Sequence, residues 1–347
     1  MAERSSWMLY GANGRSGRLI LDEALRRGHR PVLAGRDGAK LTALGRETGL
    51  STRLLPLEDG RALRAALSGV SCVLHAAGPY HLTGSAMRAA CLDAGSSYLD
   101  INGEIEDFGE ALACDERARS AGVAIIPGVG YGVVFAECLA AQLARRLPGA
   151  TWLRLSLATR TAGRSRAATL STAAALVAGG RDIHQGILRK RAVAFSTWRA
   201  PRGDAHAIRF AAAPAAELVA AQRSTAIPNI VAGIPLSRAA AALMRVTGPW
   251  LGTVLRWQAA RASVDQIAPE SEIAAQRSRI WAEAGDDNGA YVAAMLETGE
   301  GYRAAASAAV HAVELQLHDR RTGALTPVQA FGTGLAELVP GTRVVEL

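Results

Sequence analysis

The stretch Trp7–Gly17 reads WMLYGANGRSG and decides the fold. Four residues typical of a buried strand run directly into three glycines with the spacing G-x-x-G-x-x-G, and a helical apolar period follows over Ser16–Arg27. The first glycine suits a tight turn, the second allows close backbone approach, and the third lets the helix pack on the sheet. The N-terminus of the following helix would present free backbone N–H groups, which can bind an anion. The stretch therefore predicts a pyrophosphate-binding loop. The residues expected to contact the dinucleotide there are Gly11, Asn13, Gly14, Arg15, Ser16 and Gly17.

Strand and helix patterns alternate at intervals of roughly 20 to 30 residues as far as residue 147, which is typical of βαβ units. This predicts an α/β fold, a Rossmann-type doubly wound parallel sheet over residues 1–147. After Pro148 the pattern changes, because Trp152–Thr159 alternates in period two and residues 278–297 resemble a hairpin. We expect a second α+β domain over 148–319, for substrate binding and dimerisation, and a C-terminal segment 320–347 that packs back on the first domain.

The chain has 347 residues, a formal net charge of +8 and a charged fraction of 20%, which suits a globular protein of two domains. Its basic residues are scattered, and no basic stripe interleaved with aromatic residues predicts a nucleic-acid surface. The four cysteines form no C-x-x-C pair, so we expect no metal site and a reducing, cytoplasmic location. We therefore expect the protein to bind a small-molecule substrate and no nucleic acid. We also expect the chain to form a homodimer.

The stretch Ala239–Trp257 is apolar apart from Arg245 and Arg256. Two charges within it argue against a membrane-spanning helix. The pattern is typical of a core or dimer-interface helix, and peripheral contact with lipid is the alternative interpretation.

The end of the second strand distinguishes NAD from NADP. An NAD enzyme places a carboxylate there for the ribose hydroxyls, whereas this chain has Gly35 followed by Arg36. A guanidinium pairs well with a 2′-phosphate, so NADP(H) is the predicted cofactor. Asp37, one residue later, is the feature that opposes this prediction.

Three loops at the carboxyl ends of later strands carry the remaining candidates, because ligands of doubly wound sheets bind at that edge. They span residues 75–81, 98–104 and 127–132. In the first loop, the small or rigid residues expected beside the nicotinamide ribose are Ala76, Ala77, Gly78 and Pro79. Tyr80 and Tyr131 are the predicted hydrogen-bond or proton donors, and Asp100 is predicted either to orient one of them or to cap a turn.

One mechanism is excluded by composition. Short-chain dehydrogenases use a Tyr-x-x-x-Lys pair, but Lys40 and Lys190 are the only lysines, and Arg36 and Gly186 stand four residues before them.

Several motifs make the chain resemble the saccharopine dehydrogenase-like oxidoreductases, and among them the trans-acting enoyl reductase group. The motifs are GANGRSGRL (11–19), AGRDGAKL (34–41), the segment 75–104, RSTAIPNI (223–230), LETGEGYRAAASAAV (296–310) and TPVQAFGTGL (326–335). The resemblance extends over nearly the whole chain and implies a Rossmann domain, a second α/β domain and NADP-linked reduction of C=N or C=C bonds. It assigns cofactor contacts to Gly11, Gly14, Gly17, Arg36, Gly78 and Pro79.

One departure concerns the residues after Gly130, where the family has Phe-Asp-Ser and this chain has Tyr131-Gly132-Val133. A carboxylate and a hydroxyl are thereby missing, so we expect a more apolar pocket and a specialised, biosynthetic substrate. The leading hypothesis is an NADPH-dependent oxidoreductase that reduces a polarised C=C, C=N or C=O bond of a mostly apolar molecule, and a thioester- or carrier-bound substrate is one form that this hypothesis includes. The alternatives are a cofactor-retaining isomerase or cyclase, and a non-catalytic NADP(H)-sensing protein.

Overall fold

The structure is a computed structural model that describes residues 6–161, 166–201, 208–261 and 275–347. The chain forms two compact units. Of the described residues, those within 1–102, 106–131 and 302–331 form the first unit, and those within 103–105, 132–301 and 332–347 form the second.

The first unit is built on a seven-stranded sheet in which every pairing is parallel. Its strands are β1 (Trp7–Tyr10), β2 (Val32–Gly35), β3 (Thr52–Leu54), β4 (Cys72–His75), β5 (Ser97–Asp100), β6 (Ala124–Ile126) and β15 (Gly323–Ala324). The spatial order is β15-β6-β5-β4-β1-β2-β3. From β1 the chain continues to β2 and β3 on one side of the sheet and then to β4, β5 and β6 on the other side. The topological switch point, where such sheets bind ligands, therefore lies between β1 and β4.

Helices connect these strands, as the alternating pattern predicts. They are α1 (Arg15–Arg26), α2 (Gly38–Thr48), α3 (Gly60–Ala66), α4 (Tyr80–Ala94), α5 (Ile105–Leu112), α6 (Asp115–Ser120), α11 (Gly301–Asp319) and α12 (Pro327–Phe331). Side chains of a strand alternate between the two faces of the sheet. Leu9 therefore packs with Ile20 of α1 and Val313 of α11, whereas Met8 packs on the other face with Met87 of α4. The Rossmann-type fold class is confirmed.

The second unit contains a mixed nine-stranded sheet. Its strands are β7 (Trp152–Ala158), β8 (Gly180–His184), β9 (Ile187–Arg191), β10 (Thr197–Arg199), β11 (Arg209–Ala212), β12 (Asn229–Pro235), β13 (Ser278–Gly285), β14 (Tyr291–Thr298) and β16 (Arg343–Glu346). Its helices are α7 (Tyr131–Arg146), α8 (Arg166–Ala178), α9 (Glu217–Thr225) and α10 (Arg238–Arg261). β13 and β14 form the hairpin that residues 278–297 predict.

The two units begin and end at other residues than the sequence patterns suggest. Residues 302–331 belong to the first unit because α11 buries Val310 and Val313 against the parallel sheet. Residues 332–347 belong to the second unit, since β16 pairs antiparallel with β14. Among the described residues, no helix has the length and apolar character that crossing a bilayer requires.

Candidate functional site

The phosphate loop joins β1 to α1 through two close backbone approaches. Gly11 has a φ of +85°, and a Cβ there would lie 2.8 Å from the Cβ of Ala77 and 2.9 Å from the carbonyl carbon of Ala76. A Cβ at Gly17 would overlap the carbonyl oxygen of Gly11. Only glycine fits both positions, which is the steric reason for the spacing seen in the sequence.

The N-terminus of α1 fits an anionic ligand. Gly14 is the N-cap, no side chain caps the helix, and the first turn has no acidic residue. The first backbone N–H groups of a helix lack intrahelical acceptors and carry the positive end of its dipole. Asn13 Oδ1 is buried and has no hydrogen-bond partner among the described residues, so it is an acceptor suited to a ligand hydroxyl. The loop therefore fits the pyrophosphate and ribose of a dinucleotide.

Arg15, the first residue of α1, lies over the ring of Tyr302 from α11. The distance from Arg15 Cζ to the ring centroid is 4.2 Å, which is cation–π geometry. The stacking holds this positive charge beside the phosphate loop.

The end of β2 separates the roles of Arg36 and Asp37. The Asp37 carboxylate caps α2, because it accepts a hydrogen bond from the backbone N–H of Lys40 at 3.1 Å and lies 3.2 Å from Lys40 Nζ. The backbone and side chain of Lys40 hold the pKa of Asp37 below its ordinary value. Arg36 is exposed. The carboxylate that opposes the NADP prediction is thus engaged within α2.

The loop after β4 lies beside the phosphate loop. Ala76 donates its backbone N–H to Tyr10 O of β1 at 2.8 Å, and Thr83 Oγ1 donates to Ala77 O at 2.8 Å. The Gly78–Pro79 peptide bond is cis. The structure therefore brings together the predicted cofactor contacts Gly11, Ala76 and Ala77.

Tyr80 begins α4 and is buried against β4. Its hydroxyl donates to the carbonyl oxygen of His75 at 3.2 Å, and the two rings meet edge to face with centroids 5.3 Å apart. Burial lowers the pKa of His75 to about 3, so the imidazole is neutral at physiological pH.

Asp100 ties two of the candidate loops together. Its Oδ1 accepts the backbone N–H groups of Asn102 at 2.9 Å and Gly128 at 2.8 Å, and its Oδ2 accepts the Tyr98 hydroxyl at 2.7 Å. Burial raises the pKa of Asp100 to about 6, although these three hydrogen bonds oppose the rise. The carboxylate thus caps turns and binds Tyr98, and it forms no hydrogen bond with either Tyr80 or Tyr131.

A second buried carboxylate supports the same region. Asp107 accepts two hydrogen bonds from the Arg88 guanidinium, both at 2.8 Å, and one from Asn102 Nδ2 at 2.7 Å. A bidentate pair of this kind is geometrically specific. Asn102 therefore links Asp100 to the Arg88–Asp107 ion pair, a connection that the sequence patterns did not predict.

A carboxyl group also lies at the beginning of α7, where the sequence suggested that one was missing. A Cβ at Gly132 would overlap Oε1 of Glu217, the first residue of α9. Glu217 is only 7% exposed, and burial raises its pKa from 4.5 to about 7. The only signal for this contact in the sequence is a glycine inside a helix, where it is disfavoured. Tyr131, one residue earlier, is also buried.

Comparisons with known proteins agree with this geometry. Residues 11–96 match a family model described as NAD(P)H-binding. The chain is 30% identical over 148 residues to a probable mitochondrial saccharopine dehydrogenase-like oxidoreductase of Arabidopsis thaliana, covering 38% of this chain and 32% of that protein. It is also 30% identical over 147 residues to the trans-acting enoyl reductase of Mycobacterium bovis, covering 40% and 35%. The chain therefore spans about a third of the length of these curated relatives.

A solved structure shares the fold. The apo saccharopine dehydrogenase (L-Glu forming) of Saccharomyces cerevisiae superposes with a TM-score of 0.66 at 10% identity, covering 99% of each chain. The expected resemblance and the expectation of a nicotinamide dinucleotide cofactor are confirmed. The sequence matches cover less of this chain than the motifs suggested.

We expect Asp100→Ala to lower the free energy of unfolding by about 4 kcal/mol, because three buried donors lose their acceptor and each costs about 1 to 3 kcal/mol. Tyr98→Phe removes one donor and leaves the two backbone contacts, so a loss of about 1 kcal/mol is expected. Urea denaturation measures both values. A change below about 0.5 kcal/mol for Asp100→Ala would contradict this role of the carboxylate.

Glu217 should make stability depend on pH. The folded state binds its proton more tightly than the unfolded chain, so the contribution is complete below pH 4.5 and decreases as pH rises to about 7. We expect Glu217→Gln to be more stable than wild type by about 3 kcal/mol above that range and to flatten the pH profile. Thermal or urea denaturation from pH 4 to 8 tests this, with exposed Glu58→Gln as the control. Parallel profiles for wild type and Glu217→Gln would contradict it.

Proposed function

We propose that this chain is an NADPH-dependent oxidoreductase that reduces a polarised double bond of a mostly apolar small molecule. The observation that carries the proposal is the phosphate loop, whose glycines, free helix N-terminus and buried Asn13 Oδ1 suit a dinucleotide. The relatives named above are an oxidoreductase and an enoyl reductase, which favours reduction of C=C among C=C, C=N and C=O. A thioester- or carrier-bound biosynthetic intermediate is the substrate class we favour.

The preference for NADPH rests on the end of β2. Exposed Arg36 directly follows the strand, and Asp37 is committed to the cap of α2 and to Lys40. A guanidinium at this place can pair bidentately with a 2′-phosphate, whereas the carboxylate of Asp37, which could accept the ribose hydroxyls, is already bonded to Lys40.

The bound nicotinamide would supply a hydride to the electrophilic carbon of the substrate. Tyr80 and Tyr131 are the proposed donors that stabilise the developing negative charge and complete protonation. Tyr80 acts in this way when its single hydroxyl hydrogen turns from His75 O to the substrate. Both begin helices that follow strands of the parallel sheet, α4 after β4 and α7 after β6. Asp100 acts on their surroundings indirectly, because it holds Gly128 and Asn102 in place.

We also propose that the protein is located in the cytoplasm and forms a homodimer. All four cysteines are free thiols, which suits a reducing compartment. Dimerisation stays a prediction from the sequence.

Arg36→Ala should weaken NADPH binding by about 10- to 100-fold, since a charge-assisted pair contributes about 1.5 to 3 kcal/mol. NADH binding should remain nearly unchanged. Fluorescence titration with both nucleotides measures this, and Arg46→Ala, an exposed arginine later in α2, is the matched control. Equal losses for the two cofactors would rule out a 2′-phosphate contact.

Tyr80→Phe and Tyr131→Phe should each lower kcat by about 100-fold or more, the usual size of a lost proton donor, with NADPH affinity preserved. The assay follows NADPH oxidation with α,β-unsaturated thioesters, imines and ketones, and Tyr291→Phe on β14 serves as the control. Full activity of both variants would contradict the assignment. Product formation without NADPH consumption would favour an isomerase or cyclase, and tight NADPH binding with no turnover would favour a sensing protein.

A further inference from the structure

Helix α10 of the second unit has one face that is fully engaged in packing. Ala241, Met244 and Leu255 contact the apolar cluster around Leu176 and Val193. At Gly252 the approach is so close that a Cβ would lie 2.7 Å from Ala173 O of α8. This face therefore supplies the apolar packing of α10 against α8 and the cluster around Leu176.

The opposite face of α10 is apolar and exposed. Its residues are Leu243 (64% exposed), Val246 (77%), Trp250 (78%), Val254 (49%) and Trp257 (60%). Their spacing of three, four, four and three residues follows the period of about 3.6 and places them on one stripe. A contiguous exposed stripe of large apolar side chains marks an interaction surface, unlike single exposed residues. We call these five residues the α10 stripe.

The structure places three arginines near the beginning of α10. The sequence contains no Asp or Glu from residue 218 to residue 264. Arg199 and Arg209 face each other across β10 and β11, and Arg238 begins α10. Desolvation and the guanidinium groups of Arg238 and Arg199 lower the pKa of Arg209.

These three arginines form no ion pair within the part of the chain that the structure describes. A cation at the N-terminus of a helix also opposes the helix dipole. The cluster is thus electrostatically unfavourable within the protein, and an anionic surface would relieve it.

Two kinds of partner could cover the α10 stripe: a second copy of this chain or a lipid surface. A second copy would cover the apolar side chains of the stripe, but it would supply no negative charge from residues 218–264, where the sequence has no Asp or Glu. An anionic bilayer instead matches both features, because tryptophans are favoured at the membrane interface and arginines attract anionic headgroups.

We propose that the α10 stripe docks on the surface of an anionic lipid bilayer, with α10 lying in the interface plane and Arg199, Arg209 and Arg238 contacting lipid phosphates. A helix with an apolar face rich in Trp and Leu and with basic flanks binds membranes in this way without spanning them. The docking does not depend on the proposed reductase activity. If the substrate is apolar, as proposed above, docking would bring the protein to the lipid bilayer, in which apolar molecules dissolve.

The test is flotation of the full chain with vesicles of phosphatidylcholine mixed with phosphatidylglycerol, and with vesicles of phosphatidylcholine alone. Wild type should float with the mixed vesicles and its tryptophan emission should shift to the blue. The double variant Trp250→Gln/Trp257→Gln should bind at least about tenfold more weakly, because two interfacial anchors are lost. Leu82→Gln on α4, where the leucine is 72% exposed, is the matched control and should bind like wild type.

The charge component is tested separately. Replacing Arg199, Arg209 and Arg238 by Gln should weaken binding to mixed vesicles and reduce its salt dependence. Circular dichroism and NADPH titration confirm that each variant folds. Absence of flotation at low salt, or equal flotation of wild type and the tryptophan variant, would overturn the proposal. So would sedimentation showing a dimer that the tryptophan substitutions dissociate, which would identify the stripe as a self-association surface.

Discussion

The hydrogen bonds that the buried carboxylate of Asp100 accepts hold together the loops at the carboxyl edge of the parallel sheet. Connecting loops lie on the surface and are generally more mobile than the strands and helices that they join. Here one side chain accepts the Tyr98 hydroxyl and the backbone N–H groups of Asn102 and Gly128, so the loops after β5 and β6 share one anchor. Removing an acceptor that serves three buried donors costs far more than any one hydrogen bond contributes.

The same edge shows how close packing of backbone creates a binding surface. Gly11 touches Ala76 and Ala77, and Gly17 touches Gly11, so the chain approaches itself without side chains between. This leaves the N-terminus of α1 open and uncapped. A phosphate can then reach backbone N–H groups that would otherwise remain unsatisfied. The proposed NADPH preference adds a charged contact from Arg36 to this backbone site.

The second unit combines two features that its sequence patterns hardly suggest. A carboxyl group from Glu217 of α9 takes the space that a side chain at Gly132 would need, so a carboxyl group is present where the sequence resemblance suggested that one was missing. Helix α10 packs with its small and flexible residues and leaves its tryptophans exposed.

Local patterns were sufficient for the parallel sheet, the phosphate loop and the nicotinamide cofactor. Strand alternation and glycine spacing are properties of neighbouring residues, so the stretch Trp7–Gly17 carries them without reference to the rest of the chain. Tertiary structure was needed to pair Asp100 with Gly128, to place Glu217 against Gly132, and to assign α11 to the first unit. It also decided which face of α10 is exposed. These outcomes depend on contacts between residues that are far apart in the chain. Such contacts are determined by how complete helices and strands pack together, and the hydrophobic period of a single element does not reveal them.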